Sequence, residues 1–326
     1  MRIREIVLSV TIAVLLTSCL VFWPRAAAAA GQSDRGSKDA LRIDWAAAFQ
    51  TERTESRYSP LALRLFGGFS QVEAGDINNG LDGNYEWLKF YSAYGWGTVT
   101  GSYNPLHNGY HAGADLIFQI NRNVGIGIGT GYMRFSKSSL ATWSFGTEDA
   151  KLSGTPTLSA VPIRLGLFLT VPLANWINLT INGGVAAFAA LKLDSRQRFD
   201  YSDGDWTEMS LSASKKAAID NLGFEGSLGL EFMISRNTGF FVEVLGRYAR
   251  LKNFDKATMS DRYQWGDVET IEGRLYLEIY RYAQGDLSTF TVEETPPVSD
   301  PPYAVFTEPK IDLSGFSLQA GLRIRL

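Results

Sequence analysis

Eight stretches of this chain alternate apolar and polar residues with a period of two, the spacing of a strand with one face in each environment. The first carries Leu61, Leu63, Leu65 and Phe69 on one face, with Arg64, Gly68 and Ser70 on the other. The second has Ala114, Leu116, Phe118 and Ile120 opposite Asp115 and Gln119. The third has Val124, Ile126, Ile128, Thr130 and Tyr132 opposite four glycines, Gly125 to Gly131. Val161 to Leu169 and Ile177 to Ala187 supply the fourth and fifth, Phe224 to Phe232 and Phe240 to Tyr248 the sixth and seventh, and Ser317 to Leu326 the last.

The connections alternate as well: long, short, long, short, long, short, long. Asn121-Arg122-Asn123, Pro172 to Asn175 and Ser235 to Thr238 are tight-turn signals. Residues 73–108, 136–154, 194–220 and 252–310 are polar and read as long loops. An up-and-down barrel of eight strands places all the short turns at one end and all the long loops at the other. That is the plan of an outer-membrane barrel, with short periplasmic turns and longer extracellular loops. The fold expected is therefore all-β, an eight-stranded antiparallel up-and-down transmembrane β-barrel over residues 59–326.

The polar faces carry Arg64, Asp115, Arg164, Glu225, Glu231, Glu243, Arg247, Arg323 and Arg325. In a soluble barrel these would form the solvated outside around an apolar core. The glycine face of the third stretch and the near balance of signs favour the opposite, a narrow lumen crossed by ion pairs. Counting from the turns, Arg64, Glu231, Glu243 and Arg323 should form a periplasmic-side cluster. Asp115, Arg164, Glu225 and Arg247 should form a second cluster above it. Phe66, Ile117, Phe241 and Leu245 point inward by parity and are expected to fill gaps. Trp176, Phe240, Tyr132 and Tyr248 are candidates for the interfacial belts.

Composition agrees with a strand-rich chain: 13% aromatic, 20% charged, and 32 Gly against 11 Pro. A net charge of −3 gives no basic footprint for nucleic acid. Residues 1–30 read as a signal peptide, with Arg2 and Arg4 before an apolar run and alanines from Ala26 to Ala30. Leu16-Thr17-Ser18-Cys19 also resembles a lipobox, so lipidation of Cys19 stays open beside cleavage near Ala30. Residues 31–58 read as a flexible periplasmic segment.

Gln319, Gly321, Ile324 and Leu326 resemble the C-terminal insertion signal of bacterial outer-membrane barrels, except that the family usually ends on an aromatic residue. With the eight stretches, the chain from about Pro60 onward resembles the small outer-membrane β-barrel superfamily of OmpA-type transmembrane domains, OmpX and the opacity-type adhesins. The resemblance implies a narrow or plugged interior and surface loops that vary. It also implies a location in the bacterial outer membrane, with lipid around the barrel and delivery by the barrel-assembly machinery through the last strand.

Chemistry is sparse. His107 and His111 are the only histidines, and His111 shares its face with Asp115, an arrangement a general base and its orienting group would need. No nucleophile stands in a motif beside them. Asp200, Asp203, Asp205 and Glu208 cluster, without the spacing of an EF-hand. No cofactor, metal or catalytic site is assigned. Arg274 to Tyr282 reads as a strand of an extracellular hairpin, followed by the Pro-rich return at Pro296 to Pro302. The function expected is a structural or surface-interaction barrel binding an unknown extracellular partner through residues 194–219 and 252–310. A narrow pore for small solutes and a lipid-modifying enzyme are the alternatives.

Overall fold

The computed structural model describes residues 59–216, 221–252, 254–282, 285–300 and 303–326. The expectations for residues 1–58, the signal peptide, Cys19 and the periplasmic segment, lie outside them.

The barrel strands are β1 (Leu61–Val72), β3 (Asn108–Gln119), β4 (Val124–Ser136), β7 (Thr157–Ala174), β8 (Ile177–Tyr201), β10 (Leu222–Met233), β11 (Thr238–Tyr248) and β18 (Gly315–Arg325). They pair antiparallel in the order β10-β11-β18-β1-β3-β4-β7-β8, and β10 pairs with β8 to close the ring. All eight contain the alternating stretches, in the expected sequence. The last strand lies beside the first, with Leu63 opposite Ile324 and Leu65 opposite Leu322. The three tight turns and the end of β18 meet at one end, where Leu61 faces Phe118, Val124 faces Leu169 and Thr238 faces Ile324.

Exposure is inverted relative to a soluble barrel. Phe118, Ile128, Leu165, Phe224, Val244 and Leu318 face outward, each more than half exposed, whereas Glu231 and Glu243 are 0% and 2% exposed. A continuous band of Leu, Ile, Val and Phe around a closed sheet is stable in hydrocarbon and costly in water, at ~1.5–3 kcal/mol for each side chain left uncovered. The fold is a transmembrane β-barrel.

Polarity reverses along single strands. On the inner face of β7, Thr170 and Arg164 give way to Ala160 and Leu158, while outward Leu165 and Ile163 give way to Ser159 and Thr157. β8 repeats the pattern: Asn178 and Thr180 are buried low down, Leu191 and Leu193 higher up. The pairing of β7 with β8 slips between Val161 and Pro162, where Ala189 is skipped. That bulge moves the inward parity of β8 from even to odd positions, next to the point where the inside turns from polar to apolar. It marks the passage from membrane to water.

Beyond that level the long connections are not loops, which corrects the sequence reading. Residues 73–108 contain an 18-residue helix, α1 (Asp76–Ala93), and the strand β2 (Thr98–Ser102). Residues 136–154 form a hairpin of β5 (Ser139–Phe145) and β6 (Glu148–Gly154). The third connection is the upper part of β8 with β9 (Trp206–Lys216). The fourth holds β12 (Arg250–Leu251), β13 (Lys256–Tyr263), β14 (Glu269–Tyr282), β15 (Gly285–Glu293), β16 (Ala304–Thr307) and β17 (Ile311–Asp312). The hairpin expected at Arg274 to Tyr282 is present, with Tyr276 opposite Thr291 and Tyr280 opposite Leu287.

These strands extend the barrel wall in the order β2-β5-β6-β8-β9-β13-β14-β15. β2 and β15 end this row, and α1 touches both sides. Tyr85 meets Tyr103 just past β2, with ring centroids 5.8 Å apart, and Phe290 of β15 packs against Gly80. Ile77, Leu81, Tyr85 and Leu88 recur at helical spacing and are buried with Leu152, Leu158, Leu191, Leu193, Leu211, Leu275 and Val292. A second core, of soluble-protein character, thus sits on the barrel.

Entry into α1 is tightly specified. Ala74 and Gly75 have φ of 60° and 61°, two successive positive values that turn the chain off β1. Asp76 N–H then donates to Lys310 O at 3.0 Å, and Lys310 N–H donates back to Asp76 Oδ2 at 2.9 Å. Among the described residues no helix is long and apolar enough to cross a membrane.

Candidate functional site

Two regions concentrate polar or aromatic side chains in unusual settings: the lumen and the surface at the C-terminal end of α1.

In the lumen, Arg64 Nη2 donates to Glu243 Oε1 at 2.7 Å, and Arg64 Nη1 lies 3.5 Å from Asp115 Oδ2. Arg164 Nη2 donates to the other oxygen of Asp115 at 2.8 Å. Glu243 also accepts from Asn182 Nδ2 at 2.9 Å and from the Gln319 amide. This middle layer spans β1, β3, β7, β8, β11 and β18. Below it, Glu231 accepts from Arg325 at 3.0 Å and from Asn178 at 3.1 Å, with Arg323 at 3.6 Å. Arg323 donates to Thr170 Oγ1 at 3.0 Å. Above it, Arg247 Nε donates to Glu225 Oε1 at 2.5 Å.

The eight charged positions assigned to the two clusters line the interior in a different grouping, and Arg325, the ninth on the polar faces, joins Glu231. Arg64 joins Asp115 and Glu243, which had been assigned to separate clusters. The reason is register: Arg64 is the direct cross-strand partner of Asp115, and Glu225 of Arg247. Counting residues from turns ignores the stagger that barrel closure imposes. Asn178, Asn182 and Thr170 fall on the polar strand faces by parity, but they carry no charge and were given no part in the network. The available signal was parity, since Thr170 shares a face with Arg164 and Asn178 with Asn182.

The glycine face of β4 is the room these groups need. A Cβ at Gly129 would strike the Asp115 carboxylate, and one at Gly127 would come 2.6 Å from the Phe168 ring. The inward aromatics are partners for the cations. The Arg64 guanidinium lies 4.2 Å from the centre of the Phe241 ring and 5.4 Å from that of Phe168, and Arg164 lies 4.4 Å from that of Phe66. Between these groups remains a space of about 50 Å³, enough for a few water molecules.

His111 belongs to this network. Its Nδ1 is 2.8 Å from Ser70 Oγ and its Nε2 is 2.6 Å from Gln319 Oε1, while Ser70 Oγ is 2.7 Å from Ser317 Oγ. Asp115 does not orient it, being held by the two arginines. With both ring nitrogens occupied and 5% exposure, the imidazole has the surroundings of a structural group.

Of the other C-terminal positions, Gly321 lies opposite Phe66 and Phe241, and a Cβ there would strike the Leu65 carbonyl. Ile324 is partly covered and Leu326 largely exposed, both on the outer face. The acidic run at Asp200 to Glu208 is spread among partners. Arg198 Nε donates to Asp200 at 2.7 Å, Arg196 lies 3.4 Å from Glu208, and Trp265 Nε1 donates to Asp205 at 3.2 Å. Among the described residues no three carboxylates, histidines or cysteines converge as a metal site would require.

The second region was not legible as a site. Trp87 lies 5.6 Å from Phe90, 5.8 Å from Tyr91, 5.7 Å from Tyr280 and 5.8 Å from Tyr282, measured between ring centroids. Phe90 continues the cluster to Tyr94 and Tyr282, each at 4.8 Å. Trp96 stacks on Tyr91 at 5.6 Å with the planes 18° apart. Tyr94 and Trp96 are 50% and 57% exposed. Burial raises the Tyr280 phenol to about 12, so it stays protonated at neutral pH.

No family model matches the chain, and no curated protein matches it. Among solved structures it is similar to Ail, the attachment invasion locus protein of Yersinia pestis, at 10% identity over 81% of this chain and 98% of that one, with a TM-score of 0.26. It is also similar to a Pseudomonas aeruginosa FadL homologue, at 7% identity over 81% and 89% of the two chains, with a TM-score of 0.15. Likeness at this level carries no weight of its own. The architecture stands on the strand pairing and the exposure pattern.

Proposed function

We propose that this chain is a surface-interaction barrel of the bacterial outer membrane: an anchored, internally braced cylinder that holds a folded binding head outside the cell. The observation that carries the reading is that all four long connections join one sheet-and-helix unit with its own apolar core. A barrel serving only as a membrane plug has no use for such a head. Ordering it costs roughly 1–2 kcal/mol per residue in backbone entropy, which its core must offset. The ion pairs and aromatic rings filling the lumen support the same reading over a pore, since little of the cross-section is left for a water path.

Fractionation with gel mobility before and after boiling, combined with protease treatment of intact cells, tests this. The expected result is an outer-membrane protein whose mobility shifts on heating and which external protease trims above the barrel. A soluble protein, or one untouched from outside in every folded form, would end the proposal. Planar-bilayer recordings are expected to show no stable conductance, and a reproducible open level would transfer the function to the lumen.

A further inference from the structure

We infer that the aromatic surface at the C-terminal end of α1 is a binding site for neutral pyranose sugars. The inference rests on the reading of the head as a binding unit and names what this part of it takes.

The surface is built rather than accidental. α1 ends in a Schellman motif: Trp96 N–H donates to Tyr91 O at 3.0 Å and Gly95 N–H to Ser92 O at 3.0 Å, with Gly95 at φ 81°. The hydrophobic contact that completes such a cap is the Tyr91–Trp96 ring stack. Three further contacts lock it. Trp143 Nε1 donates to Trp96 O at 2.7 Å, Ser92 Oγ donates to Gly97 O at 3.0 Å, and Gly97 holds φ 91° with no room for a side chain against Trp143. The Tyr91–Trp96 pair is therefore held before any ligand arrives, which lowers the entropy lost on binding.

Charge selects the ligand class. On the elements that present the rings, Lys89 Nζ bonds Glu86 at 2.5 Å, and Arg281 is the cross-strand partner of Asp286. Within residues 86–96 and 278–282, which carry the rings, Glu278 is the remaining charge, and Asp76, Asp82, Glu269, Glu272 and Arg274 stand elsewhere on α1 and β14. Such a surface offers little to a sulfated or phosphorylated chain, and little to a strongly basic peptide. What it offers are flat π faces with phenol hydroxyls and an indole N–H at their edges. A pyranose ring is complementary, with an apolar C–H face to stack and hydroxyls at its rim to pair.

The test uses the full chain refolded in detergent and hexasaccharides of glucose, mannose and galactose, with heparin as the charged comparison. Binding is read by saturation-transfer NMR and titration calorimetry. At least one neutral hexasaccharide should bind, with transfer strongest at its ring C–H protons. Trp96→Ala and Tyr282→Ala should each weaken it about tenfold or more, while Trp96→Phe keeps part of the affinity. Tyr263→Ala, an exposed aromatic outside the cluster, should leave it unchanged. Heat-shifted mobility of each variant shows that the barrel is folded. Failure of every neutral sugar to bind, binding that survives both alanine variants, or binding of heparin alone would overturn the inference. Because surface exposure is measured separately on intact cells, a negative sugar result beside a positive exposure result sinks this inference and leaves the surface-interaction reading standing.

Discussion

Arg64 and Glu243 meet inside the barrel at 2.7 Å, from strands β1 and β11 that do not pair, with β18 between them. Each is almost fully buried, so neither charge has bulk water to fall back on. Removing one partner should cost more than the pair contributes, because a buried charge is left behind. Glu243→Ala should destabilise the barrel by ~3–5 kcal/mol, seen as a lower urea midpoint in detergent and a lower temperature for the gel shift. The double variant Arg64→Met with Glu243→Leu should recover much of that loss, and no recovery would show that the network has another role than internal bracing.

The membrane boundary on β7 is open to direct test. Leu165 and Ser159 lie on the same outer face, on either side of the level where polarity reverses. Leu165→Arg should cost ~2–4 kcal/mol of barrel stability in lipid, whereas Ser159→Arg should change it little. Equal effects of the two would misplace the boundary.

Gly83 lets β15 approach α1. A Cβ there would come 2.8 Å from the Thr289 side chain and closer still to the Ser288 carbonyl. Alanine would gain ~1 kcal/mol of helix propensity. The obstacle is backbone, so Gly83→Ala should still loosen the head, by ~1–3 kcal/mol. Faster protease cleavage in the strands of the head with an unaltered heat shift is the expected signature.

The head should tighten in acid through Asp82. Burial pushes its carboxyl from 3.8 up to about 6, with Glu86 adding in the same direction and Lys89 opposing. The folded state therefore binds this proton more tightly than the unfolded chain. The stabilisation is complete below pH 3.8 and is lost as pH rises through about 6. Protease resistance of the head should fall between about pH 4 and about pH 6.5. Asp82→Asn should flatten that dependence, and an unchanged profile in the variant would assign it to another group.

What the sequence by itself determined is the membrane part: eight strands, their order, the sorting of short and long connections, and which face meets lipid. A period of two is local, and a hydrocarbon surround demands that every outward residue obey it, so the pattern survives in the one-dimensional string. The inward position of Phe66 and Phe241 followed from parity, but their role did not, since it depends on Arg64 and Arg164 from other strands. Which charges pair was decided by barrel stagger, a property of closure and not of any one strand. The head was decided by tertiary structure almost entirely. Above the membrane the inner face turns apolar and β8 changes parity at Ala189, so Leu158, Leu191 and Leu193 no longer continue the pattern below them. α1 buries one narrow stripe and shows polar or aromatic residues elsewhere, which in sequence looks like a Tyr- and Asn-rich loop. Only packing against β15 and the Schellman cap makes Trp87, Tyr91 and Trp96 one surface, because their neighbours Tyr280 and Tyr282 arrive from nearly two hundred residues away.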